Sequence, residues 1–198
     1  RKGTQQADTT PEETRMMSTK WLGLELKNPF VPSASPLSRS LDAARQLEDA
    51  GAAALVMYSL FEEEVRTEAE SMVRFQHDPE QGHSEAVDFL PEQADFPSIP
   101  DHYLEQIAAL KASLEIPVVA SINGISTTGW LEHAIEIQDA GADALELNVY
   151  YVASAPWEEG SAVEQRYVDL LKTLKEDITI PINMKLSPFF SSIGHMVK

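Results

Sequence analysis

The sequence contains no cysteine, and this absence removes several chemistries at once. Without thiols the chain forms neither disulfide bonds nor thiolate metal sites, and it has no cysteine nucleophile or base. It also lacks an apolar run of about eighteen residues, so no membrane span is predicted. Residues 1–16 are polar and carry no apolar signal core, so we expect a disordered extension before a folded part at 17–198. A cytoplasmic location is the corresponding expectation.

Positive charge is scarce in this chain. Only 15 lysines and arginines stand against 32 acidic residues, which gives a formal net charge of -17. Such a surface repels phosphate backbones and anionic lipids, so neither nucleic acid nor a membrane is an expected partner. The five histidines show no metal-ligand spacing, and no metal site is predicted. An anionic ligand would need a local cation that reverses the field at its site.

Five short runs of apolar and β-branched residues predict parallel strands that are covered on both faces, because their apolar character is nearly continuous. These runs are residues 29–34, 53–58, 117–122, 144–149 and 180–186. Helical patterns lie between them, with Ser40, Asp101 and Ser161 as predicted N-caps, the last in a capping box with Glu164. Residues 49–55 and 139–145 echo each other, each with a helix end, a glycine and a strand start.

Repeated βα units of this kind predict an α/β fold, either a (β/α)8 TIM barrel or a doubly wound sheet. The barrel is favoured because no Gly-x-Gly-x-x-Gly turn follows the first strand. About five of the eight βα units are visible, so the barrel is expected to be incomplete in these 198 residues. Residues 61–100 lengthen the second crossover and are interpreted as an irregular insertion, either a lid or partner surface or a solvated acidic excursion.

Polar and small side chains end several of the predicted strands, where the catalytic residues of barrels gather. Lys185 ends the fifth strand, and burying its ammonium group without an anion is costly. A snorkelling or salt-bridged lysine is the alternative interpretation. Asn148 ends the fourth strand and either faces a planar heterocycle or bonds neighbouring backbone. Small residues end the third and first strands and would let a flat ligand approach the backbone: Ser121, Ser33 and Ala34.

Four segments occur together in an order and spacing typical of one enzyme family. They are Asn28-Pro29, residues 121–126, residues 141–148 and Lys185-Leu-Ser-Pro188. From about residue 21 to the chain end, the sequence thereby resembles the FMN-dependent dihydroorotate dehydrogenases, and the barrel domain of dihydropyrimidine dehydrogenase is similar. The resemblance implies a flavoprotein oxidoreductase that converts dihydroorotate to orotate in pyrimidine biosynthesis. FMN is the expected cofactor, a small molecule is the expected substrate, and a homodimer is one option for the assembly.

The resemblance also implies roles for particular residues. In the family, the positions of Lys185 and Asn148 contact the flavin, and the positions of Ser33, Ala34 and Ser59 line it. An ammonium beside the flavin stabilises the negative charge that reduction places on the ring. Two positions depart from the family pattern. Tyr58 replaces a lysine after the second strand, and Tyr151 replaces the cysteine or serine that serves as catalytic base, although an ordinary tyrosine is a poor base at neutral pH.

Two further hypotheses stand beside a flavin oxidoreductase. A lysine at the end of a barrel strand could form a Schiff base with a carbonyl substrate, as in a lyase of the class I aldolase type. The chain could also be a non-catalytic fragment or degenerate relative that only binds or assembles. A flavin absorption band would favour the first hypothesis, and borohydride trapping of substrate on Lys185 would favour the second.

Overall fold

Helices and parallel strands alternate along most of the chain. A computed structural model describes residues 17–77, 98–124 and 127–198, with residues 72–77 and 127–130 described by their backbone alone. The strands are β1 (Thr19–Trp21), β2 (Leu24–Leu26), β3 (Leu55–Phe61), β4 (Val118–Asn123), β5 (Ala144–Asn148) and β6 (Ile182–Lys185). The α-helices are α1 (Leu41–Asp49), α2 (Glu62–His77), α3 (Ile99–Ser113), α4 (Thr127–Asp139), α5 (Gly160–Asp177) and α6 (Ile193–Met196), and a 3-10 helix spans Pro36–Arg39.

The main sheet has four parallel strands in the order β3-β4-β5-β6. Each neighbouring pair of strands is joined through at least one α-helix, which is the repeated βα unit that the sequence predicts. The fold is therefore α/β with a parallel sheet, and this arrangement fits part of a TIM barrel. Within the described part of the chain, no helix is both long and apolar enough to cross a membrane.

The first predicted strand, residues 29–34, is not part of a strand ladder. It is an extended segment that accepts hydrogen bonds from β3 and from the residues just before it. Ala53 N donates to Phe30 O at 2.9 Å, and Val56 N donates to Pro32 O at 3.2 Å. Pro29 and Pro32 have no N–H to donate, so the segment cannot build a regular ladder. It nevertheless lies beside β3, in the place of a barrel's first strand.

A small antiparallel hairpin of β1 and β2 precedes this segment and was not predicted from the sequence. Its turn residues Leu22 and Gly23 both have positive φ, 54° and 79°, as a tight two-residue hairpin requires. Trp21 and Leu22 pack against a small cluster on the main sheet: Val56, Val119 and Ala144. The hairpin therefore covers the amino-terminal end of one face of the sheet.

The opposite face of the sheet packs against the helices and forms the main core. Alternate strand residues enter this core, among them Met57, Ile122 and Leu145, all essentially buried. They meet Tyr103 and Ile107 of α3, which are completely buried. The helices cover one face of the sheet, and the hairpin covers the amino-terminal end of the other face, which we call the inner face. Within the described part of the chain, the carboxyl-terminal end of the inner face is therefore left for polar side chains.

Helix ends follow the predicted chemistry in part. Ser40 caps α1 by accepting a hydrogen bond from Ala43 N, as predicted. The prediction for Asp101 was wrong, because Ser98 is the N-cap and Asp101 is its capping-box partner three residues on. The predicted capping box at Ser161 was also wrong, because α5 begins one residue earlier, at Gly160, and its N-cap Glu159 makes no side-chain cap bond.

Glycines follow the C-terminal ends of α1 and α4, in the two similar segments 49–55 and 139–145. Gly51 and Gly141 adopt positive φ, 104° and 97°, as glycines just after the end of a helix commonly do.

The start of the predicted insertion at 61–100 is helical rather than irregular. Phe61 is the last residue of β3, and α2 runs on directly from Glu62 to His77. Three glutamates in its first turn favour the helix because they complement the positive N-terminal dipole. Residues 78–97 of the predicted insertion, like the predicted extension at 1–16, lie outside the described residues.

We expect Asp101→Ala to destabilise the protein by about 0.5 kcal/mol at neutral pH, because the carboxylate bonds the Ser98 hydroxyl and backbone N–H at a highly exposed site. The same bonds, led by the one to the Ser98 side chain, lower the pKa of Asp101 from its ordinary 3.8. A lowered folded-state pKa gives stability above the unfolded value that disappears as pH falls through the folded value. Urea unfolding across acidic pH measures this loss, and Glu105→Ala on the same helix is the control.

Candidate active site

A row of polar side chains crosses the inner face of the sheet. Parallel pairing places Ser59 beside Ser121, Ser121 beside Glu146, and Glu146 beside Asn183. One pleat further along, Asn123, Asn148 and Lys185 are paired in the same way. Side chains two residues apart on a strand share a face, so both sets project opposite to the helix-packed core. We call these seven residues the polar row.

The polar row is buried to a degree that ordinary polar side chains rarely reach. Ser121, Glu146 and Asn148 are 0%, 2% and 5% exposed. They are three of the four buried polar residues in the described part of the chain. Burying polar groups costs free energy unless each finds a partner, so their concentration at one place requires a shared hydrogen-bond network.

Ser121 is the centre of that network. Its Oγ lies 2.9 Å from Ser59 Oγ, accepts a hydrogen bond from Asn148 Nδ2 at 2.9 Å, and donates to Glu146 Oε1 at 3.3 Å. A hydroxyl has one proton and two lone pairs. When Ser121 donates to Glu146, Ser59 must therefore donate to Ser121. The second hydrogen of the Asn148 amide goes to Ile122 O at 3.3 Å.

Lys185 closes the row at its outer edge. Its Nζ lies 2.9 Å from Glu146 Oε1, and the side chain of Lys185 is 41% exposed while that of Glu146 is 3% exposed. Asn183 Nδ2 donates to the other carboxylate oxygen, Glu146 Oε2, at 3.2 Å. The anion that the buried end of Lys185 requires is thus supplied by the chain itself. The amine remains in the polar row and keeps one side open to solvent.

β3 contains a bulge beside the polar row, and the side chains of Tyr103 and Ser38 hydrogen-bond to backbone groups next to it. Between the pairs Val56–Val119 and Ser59–Ser121, β3 advances three residues while β4 advances two. Tyr103 OH inserts beside the break, donating to Ser121 O at 3.0 Å and accepting from Ser121 N at 2.8 Å. Burial raises the pKa of Tyr103, so the phenol keeps its proton. Tyr58 N donates to the buried Ser38 Oγ at 2.7 Å.

Tyr58, which replaces the family lysine, lies outside the polar row. Its ring meets Tyr103 edge to face at 5.1 Å, and the Arg39 guanidinium lies 4.1 Å from its ring centre. Burial is the largest cause of a raised pKa at Tyr58. A cavity of about 700 Å³ opens here between α2 and α3, and its lining includes Arg39, Tyr58, Ser59 and Glu64. Ser59 thus joins the polar row to this solvent-open cavity.

Tyr151 is held by two charged side chains in the loop after β5 and in α5. Its hydroxyl donates to Glu158, at 2.7 and 2.9 Å from the two carboxylate oxygens. Arg166 Nη2 pairs with Glu158 Oε1 at 2.6 Å and its guanidinium lies 4.4 Å from the Tyr151 ring centre. The ring also packs against the helix-side core. The phenol is therefore oriented towards Glu158, and its role as a base stays a prediction.

The structure brings together four of the predicted site residues, Ser59, Ser121, Asn148 and Lys185. Ala34 is half-buried and packs on the same sheet face beside the hairpin cluster, while Ser33 is exposed on the extended segment. Neither makes a hydrogen bond to the polar row within the described part of the chain.

Sequence reasoning missed Glu146, Asn183 and Tyr103. A signal for Glu146 existed, because an acid in the middle of an otherwise apolar strand, Ala144–Asn148, must be paired when it is buried. Its side-chain direction also matches that of Asn148, two residues later. No sequence signal marks Tyr103, whose hydroxyl acts only because a bulge in a distant strand frees the backbone of Ser121.

The structure is an α/β fold that fits part of a TIM barrel, with a candidate lysine-bearing site at the strand ends. No protein-family model matches the chain. In sequence it is similar to the catalytic subunit of dihydroorotate dehydrogenase B (NAD(+)) from Thermoplasma acidophilum, with 28% identity over 189 residues that cover 92% of this chain and 58% of the relative. The chain therefore spans little more than half of that relative's length.

In fold, the chain is similar to solved dihydrodipicolinate synthases. The enzyme from Agrobacterium tumefaciens str. C58 aligns with a TM-score of 0.50 and 13% identity, over 84% of this chain and 48% of that one. The enzyme from Bacillus anthracis aligns with a TM-score of 0.46 and 14% identity, over 78% of this chain and 44% of that one. The sequence likeness and the fold likeness thus lead to enzymes with different names.

Proposed function

We propose that the polar row and Lys185 form the flavin-facing part of an FMN-dependent oxidoreductase that acts on a small molecule. One observation carries the proposal: three buried polar side chains from two strands lie together beneath a partly exposed lysine. Support also comes from the sequence similarity to a dihydroorotate dehydrogenase subunit over 92% of the chain.

The residues present fit the flat, electron-rich ring of FMN. The row offers small side chains at Ser59 and Ser121, which leave room for a planar ring to lie close to the strand ends. Asn148 Oδ1 accepts no hydrogen bond from the described residues, and Lys185 keeps an open side. FMN, when bound, would supply the two-electron acceptor for the substrate.

Each member of the row then has a defined task. Lys185 provides a fixed positive charge that stabilises negative charge on the ligand, in a place where burial strengthens electrostatics. Ser121 and Asn148 hold each other and keep the row rigid before the ligand arrives. Glu146 and Asn183 orient Lys185 from below.

Dihydroorotate is the first substrate to test, and Tyr151 is the reason that other substrates belong in the same assay. At the position of the family base stands the Tyr151 phenol, which donates a hydrogen bond to Glu158. Proton abstraction by Tyr151 would require its proton to pass to Glu158 at the same time. A related small molecule whose oxidation needs no strong base fits this arrangement equally well.

A second candidate is a Schiff-base lyase, and a partly exposed lysine at a strand end beside a buried acid is the observation that favours it. The ion pair with Glu146 stabilises the ammonium, so nucleophilic attack would first require the proton to pass from Lys185 to the carboxylate 2.9 Å away. The solved structures of similar fold are named as dihydrodipicolinate synthases, so the fold agrees with this candidate, whereas the curated relative in sequence agrees with the first.

One pair of measurements on the whole protein separates the two candidates. The oxidoreductase predicts a flavin absorption band, or stoichiometric FMN binding after reconstitution, and bleaching of the band by dihydroorotate or another reduced substrate. The lyase predicts that borohydride, added with a 2-oxo acid such as pyruvate, fixes the substrate to Lys185 in a peptide map. Absence of FMN binding contradicts the first candidate, and absence of the Lys185 adduct contradicts the second.

A further inference from the structure

Glu146, which orients Lys185, is also a buried acid whose own charge a ligand at Lys185 would meet. It is 2% exposed and shares Lys185, so the two side chains together carry no net charge. Negative charge that arrives at Lys185 would therefore meet a buried carboxylate about one hydrogen-bond length behind the amine. Two negative charges around one ammonium in a buried site repel each other strongly.

We propose that Glu146 takes up one proton from solvent when negative charge arrives at Lys185. This inference rests on the proposed flavin function, in which reduction is the event that brings the charge. The balance is simple: the carboxylate of Glu146 becomes a carboxylic acid, the ammonium of Lys185 is freed to pair with the ligand, and no electrons move within the chain.

The hydrogen-bond network can accommodate this proton when the Ser59 hydroxyl, released by Ser121, donates to solvent in the cavity that it lines. With Glu146 ionised, Ser59 donates to Ser121 and Ser121 donates to Glu146. With Glu146 protonated, both hydroxyls rotate, so that Glu146 donates to Ser121 and Ser121 donates to Ser59. The contact between Ser59 and Ser121 allows either oxygen to be the donor. The bonds from Asn148 to Ser121 and from Asn183 to Glu146 are unchanged by the reversal.

Two titratable groups of the described residues act on Glu146. Lys185 of β6 is the cation paired with its carboxylate. Tyr103 of α3 is close enough for the charge of Glu146 to contribute to its raised pKa, but burial already keeps that phenol protonated. Ser59 reaches the solvent-open cavity beside α2, which is a source for the incoming proton.

The test counts protons taken up on two-electron reduction of the FMN-loaded whole protein, obtained from the pH dependence of its midpoint potential. We expect the parent to take up one proton more than Glu146→Gln. Glutamine has nearly the same shape as glutamate and can keep the same partners. Its side-chain oxygen can accept from Lys185, and its NH2 group can donate to the oxygen of Asn183 once the Asn183 amide is flipped. The control is Asp143→Asn, which alters a comparable pair, Lys111–Asp143 at 2.7 Å, at the other end of the sheet. It should keep the parent's proton count.

A second readout uses the parent alone, in case the variant folds poorly. Reduction should produce an infrared carbonyl band of a protonated carboxylic acid in the parent. Where Glu146→Gln folds, it should lack this band. Equal proton counts in the parent and the glutamine variant, or no such band on reduction of the parent, would overturn the inference while leaving flavin binding intact. Failure of the whole protein to bind FMN would instead refute the proposed function, and with it this inference.

Discussion

Replacement of Tyr103 by phenylalanine is expected to destabilise the protein by about 2–4 kcal/mol, since it leaves two buried backbone groups without partners. The hydroxyl accepts from Ser121 N at 2.8 Å and donates to Ser121 O at 3.0 Å, and both residues are completely buried. β3 cannot replace it, because the bulge has moved β3 out of register there. Chemical unfolding monitored by circular dichroism measures the loss.

Tyr167→Phe is the matched control for this prediction. Tyr167 is also buried, at 2% exposure, but among the described residues its hydroxyl bonds a single acceptor, Val149 O, at 3.5 Å. A bond this long contributes little, so we expect a loss of about 0.5 kcal/mol or less. Equal losses for the two variants would show that the Tyr103 hydroxyl does not hold the row in place.

Replacement of Lys185 by methionine is expected to weaken FMN binding by the whole protein about ten- to hundredfold, as removal of one charged hydrogen-bond donor costs about 1.5–3 kcal/mol. Methionine keeps the apolar stem, so the change isolates the ammonium group. The loss also leaves the Glu146 carboxylate unpaired at 3% exposure. We therefore expect a lower unfolding free energy as well, by about 1–3 kcal/mol given that one partner is partly solvated.

Two further variants separate binding from stability in this experiment. Lys111→Met removes the lysine of a comparable pair outside the row, Lys111–Asp143, and should leave the Kd for FMN unchanged. The double change Lys185→Met with Glu146→Gln removes both charges, so it should recover stability without recovering affinity. An equal Kd in the parent and in Lys185→Met would remove Lys185 from the site.

The sequence predicted the sheet well because parallel strands covered on both faces are nearly all apolar. The runs that became β3 to β6 were found within a few residues, and the glycines at 51 and 141 marked the helix ends. The hairpin of β1 and β2 was missed because each strand has only three residues, too few for a periodic pattern. The segment at 29–34 was predicted as a strand, but its prolines leave it extended without a ladder.

The site was predictable at strand ends and hidden elsewhere. Ser121, Asn148 and Lys185 could be found because parallel strands finish at the same edge of a sheet. Ser59 was predicted only through the family resemblance. Glu146 was overlooked because its burial depends on Lys185 and Asn183 of the next strand, and the sequence alone does not show that pairing. The bulge that brings Ser59 opposite Ser121 is a three-dimensional register shift, and no local residue pattern reports it.

The proposed role of Lys185 requires its amine to contact the ligand, and amine footprinting tests this contact most directly. The whole protein would be treated with a small acylating reagent, with and without bound FMN, and modification of each lysine read by mass spectrometry. Lys111 is the internal reference, since its side chain is 33% exposed against 41% for Lys185 and both are paired with a carboxylate. We predict that FMN protects Lys185 and leaves Lys111 unchanged. Acylation of Lys185 at the same rate with FMN bound as without it would contradict the central claim.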